Sequence, residues 1–394
     1  LNSGVSRLKS KLVLGAPIFL VALSMRAGIN LIGPLIPILK EYFGLSNLQL
    51  SILAGIPLLC FSGSSLLMRF IGRFGSSNKI IKFAISALFF GLLFRATTGL
   101  PGLFIFSFLI GIAIAVMNYE IPAWIKEHAP SDTGFMTGIY STVMGLCGGL
   151  AMAIAVPLAQ LNSWSWRLSM VPWIVLAGIT ALYWNFRNKN EAAIAIVPTK
   201  PFWKTEAFKN PIAWAMVAYF GLQSFTYYAT ATWLPTILTT KGFTLSHAAL
   251  WVSISGMIGS AIGLAAPHYV DKYADKRKIL IINSSLIALG FALIALQSGP
   301  ILFIWLCFTN IGMSINFPVA LMLAGTKSRT PESTRNLSTM MQSVGYLLAA
   351  TGPAYVGSVF DLSGSWNIAI FAVVFICILQ VLVSRVVGKE SIIN

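Results

Sequence analysis

The sequence predicts an all-α membrane protein: twelve transmembrane helices in two six-helix pseudo-symmetric bundles. Three observations predict it: an apolar, charge-poor composition, twelve apolar stretches of spanning length, and a repeat at half the chain length. Of 394 residues, 57% are hydrophobic and 10% charged, against roughly 25% charged in soluble domains, and mean hydropathy is +0.80. A crossing helix needs about 20 mostly apolar residues, so about 33 residues per span and loop gives about twelve spans and leaves little chain for a soluble domain. Period-two alternation is absent, which rules out a β-barrel.

Taken in order, the apolar runs between charges, Gly and Pro fall at 13–39, 49–71, 79–98, 101–125, 134–160, 164–186, 211–239, 246–270, 279–297, 300–326, 335–359 and 364–387. The basic opening segment LNSGVSRLKSKL precedes a run too long for a secretory leader, so that run is read as span one. Loop charge sets the orientation. With the N-terminus inside, 22 Lys and Arg fall in the cytoplasmic segments and four (Lys40, Arg95, Arg167, Lys241) on the other side, leaving Arg26 in mid-span. Both termini are therefore expected in the cytoplasm of a bacterial inner membrane. The net charge of +16 is spread over these short loops rather than clustered on one face, so no nucleic-acid partner is expected.

The repeat supports duplication. Pro37 and Pro235 open PIL and PTIL at an offset of 198, each followed by a Gly (Gly44, Gly242) and Leu-Ser. Asn118 and Asn316 match at 198, Gly149/Gly345 and Pro157/Pro353 at 196, and Ser165-Trp166/Ser365-Trp366 at 200. The division is an N-terminal bundle 1–186, a basic cytoplasmic linker 187–210 and a C-terminal bundle 211–394. An even number of spans per half keeps the two repeats parallel.

After span eight the chain reads GLAAPHYVDKYADKRK from Gly263, an Asp followed by basic residues. This resembles the gating-loop motif of the major facilitator superfamily. The first copy, MRFIGRFGSSNK, carries Gly72 where that Asp would stand, which puts the usual charge relay of the N-terminal half in doubt. The resemblance implies gating-loop roles for Arg73, Asp271 and Lys272. The stretches ALSMRAGINLIGPLIPILKEYFGLS, MNYEIPAWIKEHAP, TGFMTGIYSTVMGL, YFGLQSFTYYATATWLP and LSTMMQSVGYLLAATGPAYVG are similar to one branch of it, the cyanate and 2-nitroimidazole (CynX/NimT) transporters. That branch implies secondary transport of a small solute, not enzymatic chemistry.

An ion at the bilayer centre costs about 2.5–3.5 kcal/mol even on lenient scales, so it marks function by default. Arg26 lies midway between Lys11 and Lys40, and its planar fork of donors suits a carboxylate, a nitro group or a small linear anion. A helix-clamping ion pair is the alternative, and it needs an acid at the same depth. Glu120 is the sole acid within a span: either a proton-coupling carboxylate or the partner of a cation at the inner gate. Asn30 stands at i+4 from Arg26, Tyr227 from Gln223, and Tyr346 from Gln342, so each pair shares a helix face. Spans one, seven and eleven, with span four (Asn118) and span ten (Asn316), line the central cavity in the transporters this chain resembles. Tyr140 of span five joins that set. The alternative for each Asn or Gln is a helix bridge, worth about 0.6 kcal/mol on average.

The remaining residues have structural readings. Trp164, Trp166, Trp203 and Trp366 are expected as interface anchors, Arg95 as a snorkelling cation, and His268 as a loop-edge residue. Trp233 and Tyr228 are deep enough to stack on a flat ligand. GLCGG and GPAYVG are read as close-approach points between helices, and the four cysteines as buried apolar residues without disulfides. No cofactor or metal site is expected.

The leading function is a secondary transporter that binds a small anionic or strongly polar solute midway across the bilayer and rocks its halves around it. A coupling proton or counter-anion is left open, and a monomer is expected. Efflux of neutral drug-like compounds is the second reading. A channel would need a ring of equivalent filter residues. A membrane enzyme would need a nucleophile and base or a metal cluster at depth, whereas the three histidines fall at span ends.

Overall fold

The computed structural model describes residues 15–71, 76–161, 164–187 and 202–392. Twelve spans are present. Span one runs Gly15–Asn30 and, after a 41° bend, Ile32–Phe43. Span two is Asn47–Ser62 continued by Ser64–Ile71, and spans three to five are Ser77–Thr97, Gly99–His128 and Thr133–Ala159. Span six opens as a 3-10 turn, Ser165–Met170, before Val171–Phe186. Span seven is Pro211–Thr239, span eight Leu245–Gly263 with Ala266–Val270, span nine Arg277–Leu296 and span ten Leu302–Thr326. Span eleven is Pro331–Ala350 with Gly352–Ser363, and span twelve is Trp366–Val387.

Local chemistry places these boundaries. The Ser46 hydroxyl accepts from the Gln49 amide while the Gln49 side chain accepts from the Ser46 amide, a capping box that starts span two. Thr330 and Ser333 repeat the device at span eleven, and Asn210 caps span seven with Pro211 as its first residue. The two repeat glycines both need left-handed backbone, φ 65° at Gly44 and 91° at Gly242, which explains why the turn after PIL and PTIL keeps a glycine. In span one, Pro34 has no N–H for the Asn30 carbonyl, and its ring crowds that carbonyl. The helix bends there, just past Arg26.

Among the described residues, eight helices are long and apolar enough to cross a bilayer unaided, and the bent span one makes a ninth. Span seven is less apolar because Gln223, Ser224, Thr226, Tyr227, Tyr228, Thr230 and Thr232 interrupt it. Spans two and eleven are each broken into shorter pieces. The least apolar and most broken spans are the ones packed where the two halves meet.

Spans one, two and five of the first half pack on spans seven, eleven and eight of the second. Hydrogen bonds between the halves gather toward the charge-poor end of the bundle. Asn47 donates to the Asp361 carboxylate, Ser51 to the Pro353 carbonyl (3.0 Å), Ser246 to Gln160 (3.2 Å), and Ser253 to the Gly149 carbonyl (2.5 Å). Deeper in the bundle, Gly33 lies so near the Ala231 carbonyl that a Cβ would collide with it. Above this seal sits a recess of about 280 Å³ lined by residues of both halves, among them Lys40, Glu41, Asn47 and Trp233.

Several tryptophans differ from expectation. Trp164 and Trp203 are exposed as anchors should be, but Trp166 is fully buried and Trp366 nearly so. Trp366 stacks on Phe360 at 4.0 Å, and Trp166 lies against Phe43 and Tyr42, so both fill the core where loops fold inward. Trp233 is buried too and donates to the Pro353 carbonyl (2.8 Å), which gives it a structural role rather than a stacking face. The cysteines are free, three of them buried.

Because backbone carbonyl, not a flexible side chain, faces Gly33, a Gly33→Val chain should keep its fold but lose the seal. Overpacking of this kind costs about 1–3 kcal/mol. Thiol labelling of a cysteine at Ser51 should rise at least severalfold in that background, and unchanged labelling would show that the two spans can separate without cost.

Candidate functional site

Arg26 stands at the first of two interruptions in span one, where helical assignment lapses before Ala27–Asn30. Its Nη1 donates to the Tyr228 hydroxyl of span seven (3.1 Å), across the divide between the halves. Tyr227, Tyr346 and Tyr140 also lie within electrostatic range of the guanidinium. Asn30, one turn on, reaches the Tyr227 hydroxyl. Arg26, Asn30, Asn118, Tyr227 and Gln342 are all half-buried at mid-depth. A charged group left partly accessible there, with neighbours from both halves, faces the space between them.

Among the described residues no carboxylate pairs with Arg26; the groups acting on it are tyrosines. The clamp reading, which needs an acid at that depth, therefore lacks its partner. A guanidinium has five N–H donors, and one bond to a hydroxyl leaves capacity for an incoming acceptor. A hydrogen bond to a charged group is worth about 1.5–3 kcal/mol, enough for Tyr228 to orient the fork without neutralising it.

Gly148 of span five explains the close fit behind this group. A Cβ there would stand 2.6 Å from Asn30 Nδ2 and 3.2 Å from Arg26 Cβ. Tyr140, also of span five, donates to Asn118 Oδ1 (3.3 Å) and lies against Met25 Sδ (3.6 Å). Spans one, four, five, seven and eleven thus contribute Arg26, Asn30, Asn118, Tyr140, Tyr227 and Tyr346 to one neighbourhood, and Tyr228, expected as a stacking face for a flat ligand, joins it as the hydrogen-bond partner of Arg26.

Other expected residues stand elsewhere. Asn316 is fully buried; its Oδ1 accepts from Tyr219 (2.8 Å) and Asn283 (2.7 Å), bridging spans seven, nine and ten. Gln223 is buried, its amide donating to Ser224 (2.6 Å). Neither reaches the open space in this state. Glu120 is buried beside the Ser77 hydroxyl and in range of Glu127. In the gating loop Asp271 is exposed, Lys272 lies over the Tyr269 ring at 5.0 Å, and Arg73 lies outside the described residues. The ion pair of that loop is Arg277 with Asp275. Hydrogen bonds from Arg277 hold the Asp275 carboxyl down at about 2, so the pair is complete above the ordinary carboxylate range and is lost only as pH falls through about 2.

Arg95 departs furthest from expectation. It does not snorkel: it is 1% exposed, and its Nη1 donates to the Gly28 carbonyl of span one (2.8 Å). Span three is packed against spans four and six, and the Gly28 carbonyl holds the Arg95 side chain against span one, so it turns inward rather than to the interface.

The family model of the Major Facilitator Superfamily matches residues 18–353. The chain belongs to the major facilitator superfamily. Within it the chain is CynX/NimT-like. It is 26% identical to the 2-nitroimidazole transporter of Escherichia coli K12 over 388 residues, 97% of each chain. It is 24% identical to the cyanate transport protein CynX of the same organism over 348 residues, 88% of this chain and 90% of the relative. In fold it is similar to the crystal structure of a bacterial homologue of the human lysosomal transporter Spinster in an inward-facing, occupied conformation, with TM-score 0.77, 15% identity and 97% of each chain covered. This superfamily member is an integral membrane transporter and not an enzyme.

Gly148→Ala should disturb the site without unfolding the bundle, since the atoms it meets belong to side chains. Solute affinity should fall about three- to tenfold with expression and melting temperature within a few degrees of the parent, read by a binding titration on purified protein.

Proposed function

We propose that the chain carries a small anionic or strongly polar solute across a bacterial inner membrane by alternating access, with Arg26 holding the solute's negative end. One observation carries this reading: Arg26 is a half-buried guanidinium at mid-depth, without a carboxylate partner among the described residues, ringed by hydroxyl and amide groups from both halves. Cyanate is a small linear anion and a nitro group presents two acceptor oxygens, so the cargo named for both relatives suits a guanidinium fork.

In this reading the bundles 1–186 and 211–394 rock about the linker 187–210, with both termini in the cytoplasm as the loop charges require. A solute bridging Arg26 of one half and Tyr227 or Tyr228 of the other binds most strongly when the halves are drawn together around it, which supplies the difference in affinity between states that a transport cycle needs. Asn30, Asn118, Tyr140 and Tyr346 complete the polar lining, and Gln342 approaches from span eleven. Glu120, buried near the basic end beside the Ser77 hydroxyl, is the candidate for proton coupling. The working unit is a monomer.

The test is binding and liposome uptake of cyanate, benzoate and 2-nitroimidazole by the parent, Arg26→Ala and Arg26→Lys. Binding of the preferred solute should fall at least about a hundredfold in Arg26→Ala, with Arg26→Lys intermediate because it keeps the charge but not the fork; parent-like uptake by both would remove Arg26 as anchor. Separately, Glu120→Gln should abolish acceleration of uptake by an inward proton gradient, and an unchanged response takes Glu120 out of the mechanism.

A further inference from the structure

We propose that Arg95 is a second fixed positive charge of the solute site, a positioning and selectivity residue acting from behind span one. This rests on the reading of Arg26 as an anion anchor and extends it to a residue that touches no solute.

Arg95 is buried to the extent of 1% exposure, and among the described residues only its Nη1 has a partner, the Gly28 carbonyl at 2.8 Å. Its Nε and Nη2 are buried with no hydrogen-bond partner. No charged side chain acts on it among the described residues. Arginine stays protonated in proteins, so the first bundle holds a whole positive charge in a medium that screens it poorly. Keeping an uncompensated buried ion costs several kcal/mol, and as a bare structural strut it would be a poor choice: a neutral amide also donates to a carbonyl.

Its place gives the charge a use. Gly28 lies midway between Arg26 and Asn30, two residues from each, or about 3 Å along the helix. Arg26 turns to Tyr228 at the divide, whereas Gly28 turns to spans three and four, where a Cβ would meet Ile110 at 3.0 Å and Ile114 and Leu88 at 3.7 Å. The two guanidiniums therefore flank one turn of span one from opposite sides. Arg95 holds that turn by its carbonyl and adds its field to the space that Arg26 faces. A unit charge about 10 Å away at an effective dielectric of about 20 changes an ion's local concentration by on the order of tenfold.

The experiment reads that field without needing the solute. In a chain whose four cysteines are replaced by Ala, a reporter Asn30→Cys is modified with anionic sulfonatoethyl and with cationic trimethylammonioethyl methanethiosulfonate. The ratio of the two rates is compared in the parent, Arg95→Gln, which keeps a donor for Gly28 but no charge, and Arg95→Lys, which keeps the charge. The anionic-to-cationic ratio should fall at least about tenfold in Arg95→Gln and stay within about twofold of the parent in Arg95→Lys. A second variant, Leu92→Glu, places a carboxylate three residues back on the same helix face and should lower the ratio as Arg95→Gln does while Arg95 itself remains. An unchanged ratio in Arg95→Gln or Leu92→Glu, or an equal fall in Arg95→Lys, overturns the proposal. Arg26→Gln in the same background separates the two ideas: if it leaves the ratio unchanged while Arg95→Gln lowers it, the anchor reading fails and this one stands.

Discussion

The bond from Arg26 to Tyr228 joins the two halves of the bundle at the depth where a charge is hardest to keep. Among the described residues no carboxylate neutralises it, so the guanidinium is held by the Tyr228 hydroxyl, with Tyr227, Tyr346 and Tyr140 of spans seven, eleven and five around it. That requirement orders much of the interior. Span one bends beside Arg26, span five presents a glycine so that Asn30 and Arg26 can lie flat against it, and span seven gives up apolarity to supply Tyr227 and Tyr228. The fold carries these costs with long, apolar outer spans, which hold the assembly in lipid while the inner spans serve the site.

Most of the fold could be read from the residues. Apolar runs, loop charge and the 198-residue offset each depend on chemistry that the bilayer imposes locally, and the structure has twelve spans where those signals placed them. Gly44 and Gly242 show why the repeat was visible: both sit at left-handed turns that only glycine adopts readily. The site was legible in part. Spacing of four residues finds side chains on one helix face but says nothing about which way the face points. Asn316 was matched to Asn118 by the repeat, yet one lies at the divide and the other is buried among Tyr219 and Asn283. Arg95 was missed because depth along a helix was taken from distance to its end, whereas the direction of a long side chain depends on what packs around it.

Duplication therefore preserved the frame and not the chemistry. The first half carries the two deep cations, Arg26 and Arg95; the corresponding spans of the second half answer with tyrosines and small hydroxyls. On the proposed reading, an asymmetric charge in a symmetric frame gives the passenger a fixed polarity: its negative end is met by one bundle and its uncharged remainder by the other.

The recess above the seal adds one more consequence. It is walled by both bundles, with Lys40 and Glu41 on one side and Trp233, Phe360 and Trp366 on the other, so its shape exists only while the bundles are pressed together at that end. In the proposed cycle, a compound fitted to it would act as a doorstop in reverse, keeping that end shut without ever competing for the seat within.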